Sequence, residues 1–326
     1  MARPRTPAVV WIRRASQTGF FLLFLYLFLQ TVYKPVNQTG KGVKLFFQLD
    51  PLTALSSGVS ARSLASGLLL GGITLLVTVL MGRWFCGWVC PFGALHNAIT
   101  AWRSGRVKEK IASGGYSRWQ TSKYYLLALM LAGCLFGLNL FGLLDPFSFF
   151  YRSLATVVFP AFNDLVTAAF TWVYQADPGV GRLKAAAVTE PVYEVLRRNV
   201  LSASQQRFLG TLLIALLFAA VVLLNLYRAR FWCRYVCPLG ALLGVAGKNP
   251  ALRLKRNDQA CNDCGLCVAD CQGGANPAGA GSWKPSECFY CWNCRAACPR
   301  QALSFGFGAG REAELVAVQG AKEKAR

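Results

Sequence analysis

Cys261-Asn262-Asp263-Cys264-Gly265-Leu266-Cys267-Val268-Ala269-Asp270-Cys271 and Cys288-Phe289-Tyr290-Cys291-Trp292-Asn293-Cys294-Arg295-Ala296-Ala297-Cys298 are two CxxCxxCxxxC boxes, the second closed by Pro299. This is the spacing by which thiolates hold a pair of 4Fe-4S clusters. A cubane offers four iron corners, and three cysteines at three-residue steps wrap one short loop around three of them. When two boxes are present, the fourth ligand comes from the other box. The expected sets are therefore Cys261, Cys264, Cys267 and Cys298 for one cluster and Cys288, Cys291, Cys294 and Cys271 for the other. Zinc fits less well, because a tetrahedral ion needs only paired CxxC units and leaves the third step and the fourth cysteine unexplained. Gln272 stands where the complete pattern has proline, which leaves the ligand itself in place.

The rest of the chain has the composition of a membrane protein. Of 326 residues, 54% are hydrophobic and only 15% are charged. Four apolar runs, Gly19–Tyr33, Leu64–Gly82, Tyr124–Leu144 and Phe208–Tyr227, approach the roughly 20 residues that cross a bilayer, the first being short. In a soluble protein a net charge of +21 would suggest nucleic acid. Here 25 of the 35 Lys and Arg fall in alternate segments, Met1–Thr18, Arg83–Lys123 and Arg228–Arg326. That asymmetry marks those segments as cytoplasmic. The prediction is a multi-pass protein of a bacterial inner membrane, with both termini cytoplasmic and membrane lipid rather than nucleic acid around it. No small-residue cleavage site follows the first run, so it reads as an uncleaved helix.

A comparison of the chain with itself shows a duplication. Asp50-Pro51 leads through an apolar run to Arg83-Trp84-Phe85-Cys86-Gly87-Trp88-Val89-Cys90-Pro91, and Asp145-Pro146 leads through another to Arg230-Phe231-Trp232-Cys233-Arg234-Tyr235-Val236-Cys237-Pro238. Each unit enters and leaves on one side, so the repeats are expected to be parallel. The expected fold is mainly α: a four-helix transmembrane core from two parallel repeats, with a small C-terminal α+β two-cluster domain. The domains are residues 1–145, the N-terminal repeat with the first CxxxCP and the third span; 146–207, an outer-side insertion; 208–250, the fourth span and second CxxxCP; 251–310, the cluster-binding domain; and 311–326, a polar tail. Within the insertion, Leu154, Val158, Phe162, Leu165, Ala169 and Trp172 repeat at helical spacing. This predicts an amphipathic helix on the outer surface, bent at Pro160, with a second short helix beginning at Pro191; the alternative is a fifth, imperfect span, which would put Asn163-Asp164 at mid-membrane.

Cysteines four apart share one helical face. Cys86, Cys90, Cys233 and Cys237 are thus a candidate four-thiolate site for a further cluster, another thiophilic metal or a redox dithiol, with plain packing as the alternative. Asp50 and Asp145 have two readings: N-caps ahead of a first-turn proline, or proton acceptors for a quinol at the outer surface. His96, the lone histidine, excludes a bis-His haem within the chain; its readings are a proton acceptor beside the first CxxxCP pair or no special role. No CxxCH, GxGxxG, phosphate loop or nucleophile elbow is present, so haem c attachment, hydride transfer, nucleotide hydrolysis and acyl transfer lack their residues.

With paired CxxxCP motifs and two cluster boxes, the chain resembles the NapH/NosR-type polytopic membrane ferredoxins, which include quinol dehydrogenase membrane subunits. The insertion after Asp145 is its main departure. The resemblance implies membrane quinol as substrate and delivery of electrons through the clusters to a periplasmic or membrane partner, a reductase or cytochrome. It leaves two further readings: a metal (copper) reductase or assembly factor using the CxxxCP thiolates, and a cluster-based redox sensor.

Overall fold

The structure is a computed structural model that describes residues 7–32, 41–61, 68–102, 105–138, 140–176, 179–180, 183–199, 201, 210–278 and 283–308. The first residues of the second and fourth expected spans, and the polar tail 311–326, lie outside the described residues.

Helix α1 (Ala8–Val32) precedes a first unit made of α2 (Lys41–Gln48), α3 (Pro51–Ala61), α4 (Leu68–Met81), α5 (Trp84–Trp88) and α6 (Pro91–Ala101). After α7 (Val107–Gly114), α8 (Ser122–Leu135) precedes the second: α9 (Phe141–Leu144), α10 (Pro146–Ser153), α11 (Phe159–Ala176), α12 (Ala185–Asn199), α13 (Thr211–Tyr227), α14 (Phe231–Tyr235) and α15 (Pro238–Ala246). The same local chemistry starts the equivalent helices. Asp50 Oδ1 accepts from the Leu52 amide at 2.8 Å and Asp145 Oδ2 from the Ser148 amide at 2.8 Å. Cys90 Sγ accepts from Gly93 N at 3.4 Å and Cys237 Sγ from Gly240 N at 3.2 Å. Each cap is followed by a proline, whose missing N–H costs nothing in a first turn.

The units pack reciprocally: α4 lies against α15 and α13 against α6, while α1 covers α6 and α8 covers α15. Phe24, Phe46, Phe92, Phe147 and Phe150 fill the space between them, each almost fully buried. The cluster-binding module is closed by strands β1 (Leu252–Arg256) and β2 (Leu303–Phe307), antiparallel with Leu252 opposite Phe307 and Arg256 opposite Leu303. It is pinned to the core where Trp88 Nε1 donates to the Tyr290 carbonyl at 3.0 Å and Ala251 N to the Leu80 carbonyl at 3.0 Å. Gly87 permits this approach, since a Cβ there would stand 2.1 Å from the Phe289 carbonyl oxygen.

Three expectations are corrected. The third span does not run unbroken to Leu144: Gly137, at φ +81, stops α8. The Leu138 amide reaches the Gly133 carbonyl and the Gly137 amide the Cys134 carbonyl, a Schellman closure that absorbs the orphan carbonyls. In the insertion, residues Pro146–Ala176 form one 31-residue helix, the one helix among the described residues long and apolar enough to cross a membrane; Leu69–Met81 and Thr211–Tyr227 are shorter apolar helices. Along it Asn163 is 4% exposed while Asp164, Leu165 and Trp172 are exposed, so polar and apolar side chains share the outward face. The strain of Pro160 is taken up as a π turn over Leu154–Val158, where the Phe159 amide reaches back five residues to Leu154. Finally, α12 starts at Ala185 and carries Pro191 inside it.

One ion cluster, not foreseen from the sequence, joins module to core. Glu287, 2% exposed, accepts from Lys123 Nζ, from Arg83 Nη1 at 3.3 Å, from the Tyr124 hydroxyl at 2.9 Å and from Gln120 Nε2 at 3.2 Å. Arg83 and Lys123 are fully buried, so removing their shared counter-charge strands two cations. Glu287→Ala is expected to lower stability by about 3–5 kcal/mol, read as earlier thermal unfolding in detergent; the double variant Glu287→Leu/Lys123→Met should recover part of the loss. An unchanged midpoint for the single variant would contradict this account.

Candidate metal centres

The eight cysteines of the two boxes divide between two cavities. Cys261, Cys264, Cys267 and Cys298 line one, beside Ala302 and Leu303. Cys271, Cys288, Cys291 and Cys294 line the other, beside Ala275, Phe289 and Phe305. The fourth member of each set thus arrives from the other box. Left-handed turns at Asp263, Gly265, Tyr290 and Trp292 let the short loops wind around these spaces. Each incoming cysteine receives a backbone N–H: Ala275 N to Cys271 Sγ at 3.3 Å and Ala302 N to Cys298 Sγ at 3.3 Å. Such bonds to sulfur are one of the ways a protein sets cluster potential. Burial pushes the Cys267 thiol up to about 11, so a thiolate there needs cationic charge beside it, which cluster iron supplies. Among the described residues no three His, Cys, Asp or Glu side chains converge closely enough for a single metal ion. Four thiols around each space, with N–H donors to sulfur, are the donor set of a 4Fe-4S cubane.

The CxxxCP cysteines lie under this module. Cys86, Cys90, Cys233 and Cys237 are each about 5% exposed or less, and they are within electrostatic reach of one another. Around them the two units exchange arginines. Arg230 Nη1 donates to the Cys86 carbonyl at 2.8 Å, and Arg83 Nη2 donates to the Cys233 carbonyl at 3.3 Å. The guanidinium carbons of Arg83 and Arg230 lie 4.8 Å and 4.9 Å from the ring centre of Phe289, next to Cys288. Burial pushes the Cys233 thiol up to about 11, with Arg230 the main opposing influence. The pair of motifs therefore forms one buried thiol group that meets the cluster-binding loop through a cation–π contact. Cys134, on α8, lies in the apolar core as a packing residue.

Asp50 and Asp145 are brought together inside the protein. Both are fully buried, and Asp50-Pro51 packs on Gly71 while the Leu49 carbonyl accepts from Thr74 Oγ1 at 2.8 Å, positions on α4 well inside the helix. The two carboxyl groups meet each other; among the described residues Asp50 Oδ2 and Asp145 Oδ1 have no other partner. His96 is also fully buried, edge-on to Phe92 with ring centres 4.5 Å apart. Burial holds its imidazole down to about 4, with Asn225 pulling the other way, so it is neutral at physiological pH and a poor proton acceptor.

The comparisons follow this geometry. A family model described as a 4Fe-4S binding domain matches twice, at residues 64–109 and 209–257, and each match encloses one CxxxCP pair. The chain is 27% identical over 239 residues to the "Putative electron transport protein YccM" of Escherichia coli, covering 72% of this chain and 54% of that protein. It is 29% identical over 222 residues to the "Regulatory protein NosR" of Pseudomonas aeruginosa, covering 67% of this chain and 24% of that protein. It is 26% identical over 229 residues to the "Methylamine utilization ferredoxin-type protein MauN" of Paracoccus denitrificans, covering 68% and 60%. The chain thus spans about half the length of YccM and a quarter of NosR. No solved structure gives a significant match. The doubled family match, falling on both halves of the internal repeat, and these relatives make the chain similar to 4Fe-4S, ferredoxin-type electron-transport proteins and support the NapH/NosR-type resemblance.

Proposed function

We propose that this chain is a multi-pass membrane electron-transfer subunit that oxidises quinol and passes the electrons singly to a partner reductase or cytochrome. The observation that carries the reading is the division of eight cysteines into two four-thiol cavities with the fourth member exchanged. Cys261, Cys264, Cys267 and Cys298 would hold one 4Fe-4S cluster and Cys271, Cys288, Cys291 and Cys294 the other; when bound, the clusters supply one-electron acceptance. Oxidation of quinol breaks two O–H bonds and releases two electrons and two protons, the protons passing to water. The buried Cys86, Cys90, Cys233 and Cys237 are a further redox or metal centre.

A membrane setting is supported by the outward faces of four helices. Leu22, Leu23 and Tyr26 on α1, Leu69, Ile73 and Leu76 on α4, Tyr125 and Leu129 on α8, and Leu212, Leu216 and Leu223 on α13 are all exposed. Apolar faces of this extent belong against lipid. With the basic segments on the module's side, both termini and the module are cytoplasmic. Asp50 and Asp145 are assigned to the fold, as caps closed off by their own pairing, rather than to quinol deprotonation.

Anaerobically purified protein should contain about eight iron atoms and eight sulfides per chain if both sites fill, and added quinol should bleach the cluster absorbance. Cys298→Ser should remove the cluster of the first box although residue 298 belongs to the second; retention of that cluster, with loss of the other, would overturn the exchanged pairing. Asp50→Asn and Asp145→Asn, which keep a capping oxygen, are expected to leave quinol turnover within about twofold. Lost turnover with intact cluster spectra would restore the carboxyls to the proton path. The four CxxxCP thiols support a second reading, reduction of a thiophilic metal such as copper. Copper reduction lost in Cys86→Ser and Cys233→Ser, with quinol bleaching unchanged, would favour it.

A further inference from the structure

The four-thiol space of Cys271, Cys288, Cys291 and Cys294 is ringed by buried cations. Arg13, Arg83, Lys123, Arg230 and Arg234 are each 1% exposed or less. Among the described residues Glu287 is the one carboxylate that any of them pairs with, through Arg83 and Lys123. Arg13 and Arg234 stand apart from it and lie against this space from two sides. Arg13, on α1, donates from Nη2 to Asn293 Oδ1 at 3.2 Å, and Asn293 immediately precedes Cys294. Arg234, on α14, lies on the loop that leaves Cys271: a Cβ at Gly274 would stand 2.1 Å from its Nη2, and Gly274 is left-handed at φ +65. The next amide, Ala275 N, is the donor to Cys271 Sγ.

What meets these two guanidiniums is neutral. Arg13 Nη1 donates to Gln17 Oε1 at 3.1 Å, and Arg234 donates to the Gly115 carbonyl at 2.6 Å and the Ser113 carbonyl at 3.4 Å. Neutral oxygens satisfy N–H groups without cancelling the charge, and a guanidinium keeps its proton. Buried charge of this kind is screened little by salt. The other four-thiol space is different: Cys264 is exposed, Cys261 is half-buried, and the arginine beside them, Arg256, is paired with Asp258 and Asp263. The duplication marks one of the charges as an addition. Arg83-Trp84-Phe85-Cys86-Gly87 aligns with Arg230-Phe231-Trp232-Cys233-Arg234, so Arg234 stands where the first repeat has Gly87.

We infer that Arg13 and Arg234 are fixed counter-charges that raise the reduction potential of the cluster held by Cys271, Cys288, Cys291 and Cys294, and leave that of the other cluster alone. A cubane on four thiolates is an anion, the arriving electron adds to its charge, and the charge around it is one lever on its potential. Burial alone disfavours the added charge. Two guanidiniums without a carboxylate reverse that effect, because attraction is stronger where the dielectric is low. The electron is thereby favoured on the side of the module that faces the helical core. This inference rests on the two-cluster reading above and concerns what tunes one of the two.

The test is an anaerobic redox titration of the cluster-loaded protein in detergent, with dithionite as reductant and electron paramagnetic resonance as the readout, in which each cluster gives a reduction step. The module step that survives in Cys298→Ser belongs to the cluster of Cys271. Arg13→Met and Arg234→Met should each move that step to lower potential and leave the other in place. Arg13→Lys and Arg234→Lys keep the charge and lose the planar donor group, and should stay near wild type; a residue that only shaped the loop would fail alike as methionine and as lysine, and that result would overturn the inference. Asn293→Asp sets a carboxylate against Arg13 without removing any packing. It should lower the same step, and it decides the matter where a methionine variant does not fold. Unmoved midpoints in Arg234→Met and Asn293→Asp at full iron content, or a shift confined to the step that Cys298→Ser abolishes, would sink the inference and leave two clusters standing. Wild-type protein without iron and sulfide would remove both.

Discussion

Phe289 held between two buried guanidinium groups is the contact on which the arrangement of core and module depends. Arg83 and Arg230 occupy equivalent places in the two repeats, and each crosses over to the carbonyl of the first CxxxCP cysteine of the other repeat. Burying a guanidinium costs several kcal/mol unless its donors are met. Here an aromatic face, a crossed carbonyl and, for Arg83 alone, the Glu287 carboxylate meet part of that demand. Among the described residues Arg230 keeps Nε and Nη2 without partners. Uncompensated positive charge therefore stands beside four buried thiols, the sign required to stabilise thiolates or an added electron at that place.

The cluster boxes were legible in the sequence because ligand chemistry sets their spacing directly: cubane corners demand cysteines at fixed steps, whatever the surrounding fold. The duplication was legible for a related reason, since Asp50-Pro51 and Asp145-Pro146, and Cys90-Pro91 and Cys237-Pro238, are local capping devices whose residues act on their own next turn. What was not legible depends on depth. An Asp-Pro pair looks the same at a surface and in a core, and only packing against Gly71 and Thr74 puts Asp50 inside. The helical period of residues 154–173 shows that two faces exist, but it does not say which faces protein; that sign is set by whether lipid or water lies outside. Gly133 and Gly137 did carry the signal for the break after α8, because glycine past a helix end is the ordinary left-handed closure. Glu287 had only its scarcity to mark it: 14 acids among 35 bases make any acid next to a cluster cysteine a candidate counter-charge.

Two exchanges of the same kind recur at different levels. In the module, each box contributes its last cysteine to the other cavity; in the core, each repeat contributes its arginine to the other's cysteine turn. An exchange makes halves interdependent, since neither site is complete on one half alone. The two exchanges are also linked in series, because Phe289, on which both arginines rest, is flanked by Cys288 and by Tyr290, whose carbonyl receives Trp88 from the first CxxxCP motif. Ligand binding that orders the loop from Cys288 to Cys291 therefore also places the ring that the arginines need. Metal-site formation and folding are one equilibrium wherever the ligands are not preformed. In this chain that equilibrium reaches beyond the module, since without the ordered loop Arg83 and Arg230 lose their shared aromatic face and Arg83 its carboxylate. The helical core is thus built to be at its most stable only when the cysteines of the module are loaded, which ties the integrity of the cluster sites to the integrity of the fold that carries them.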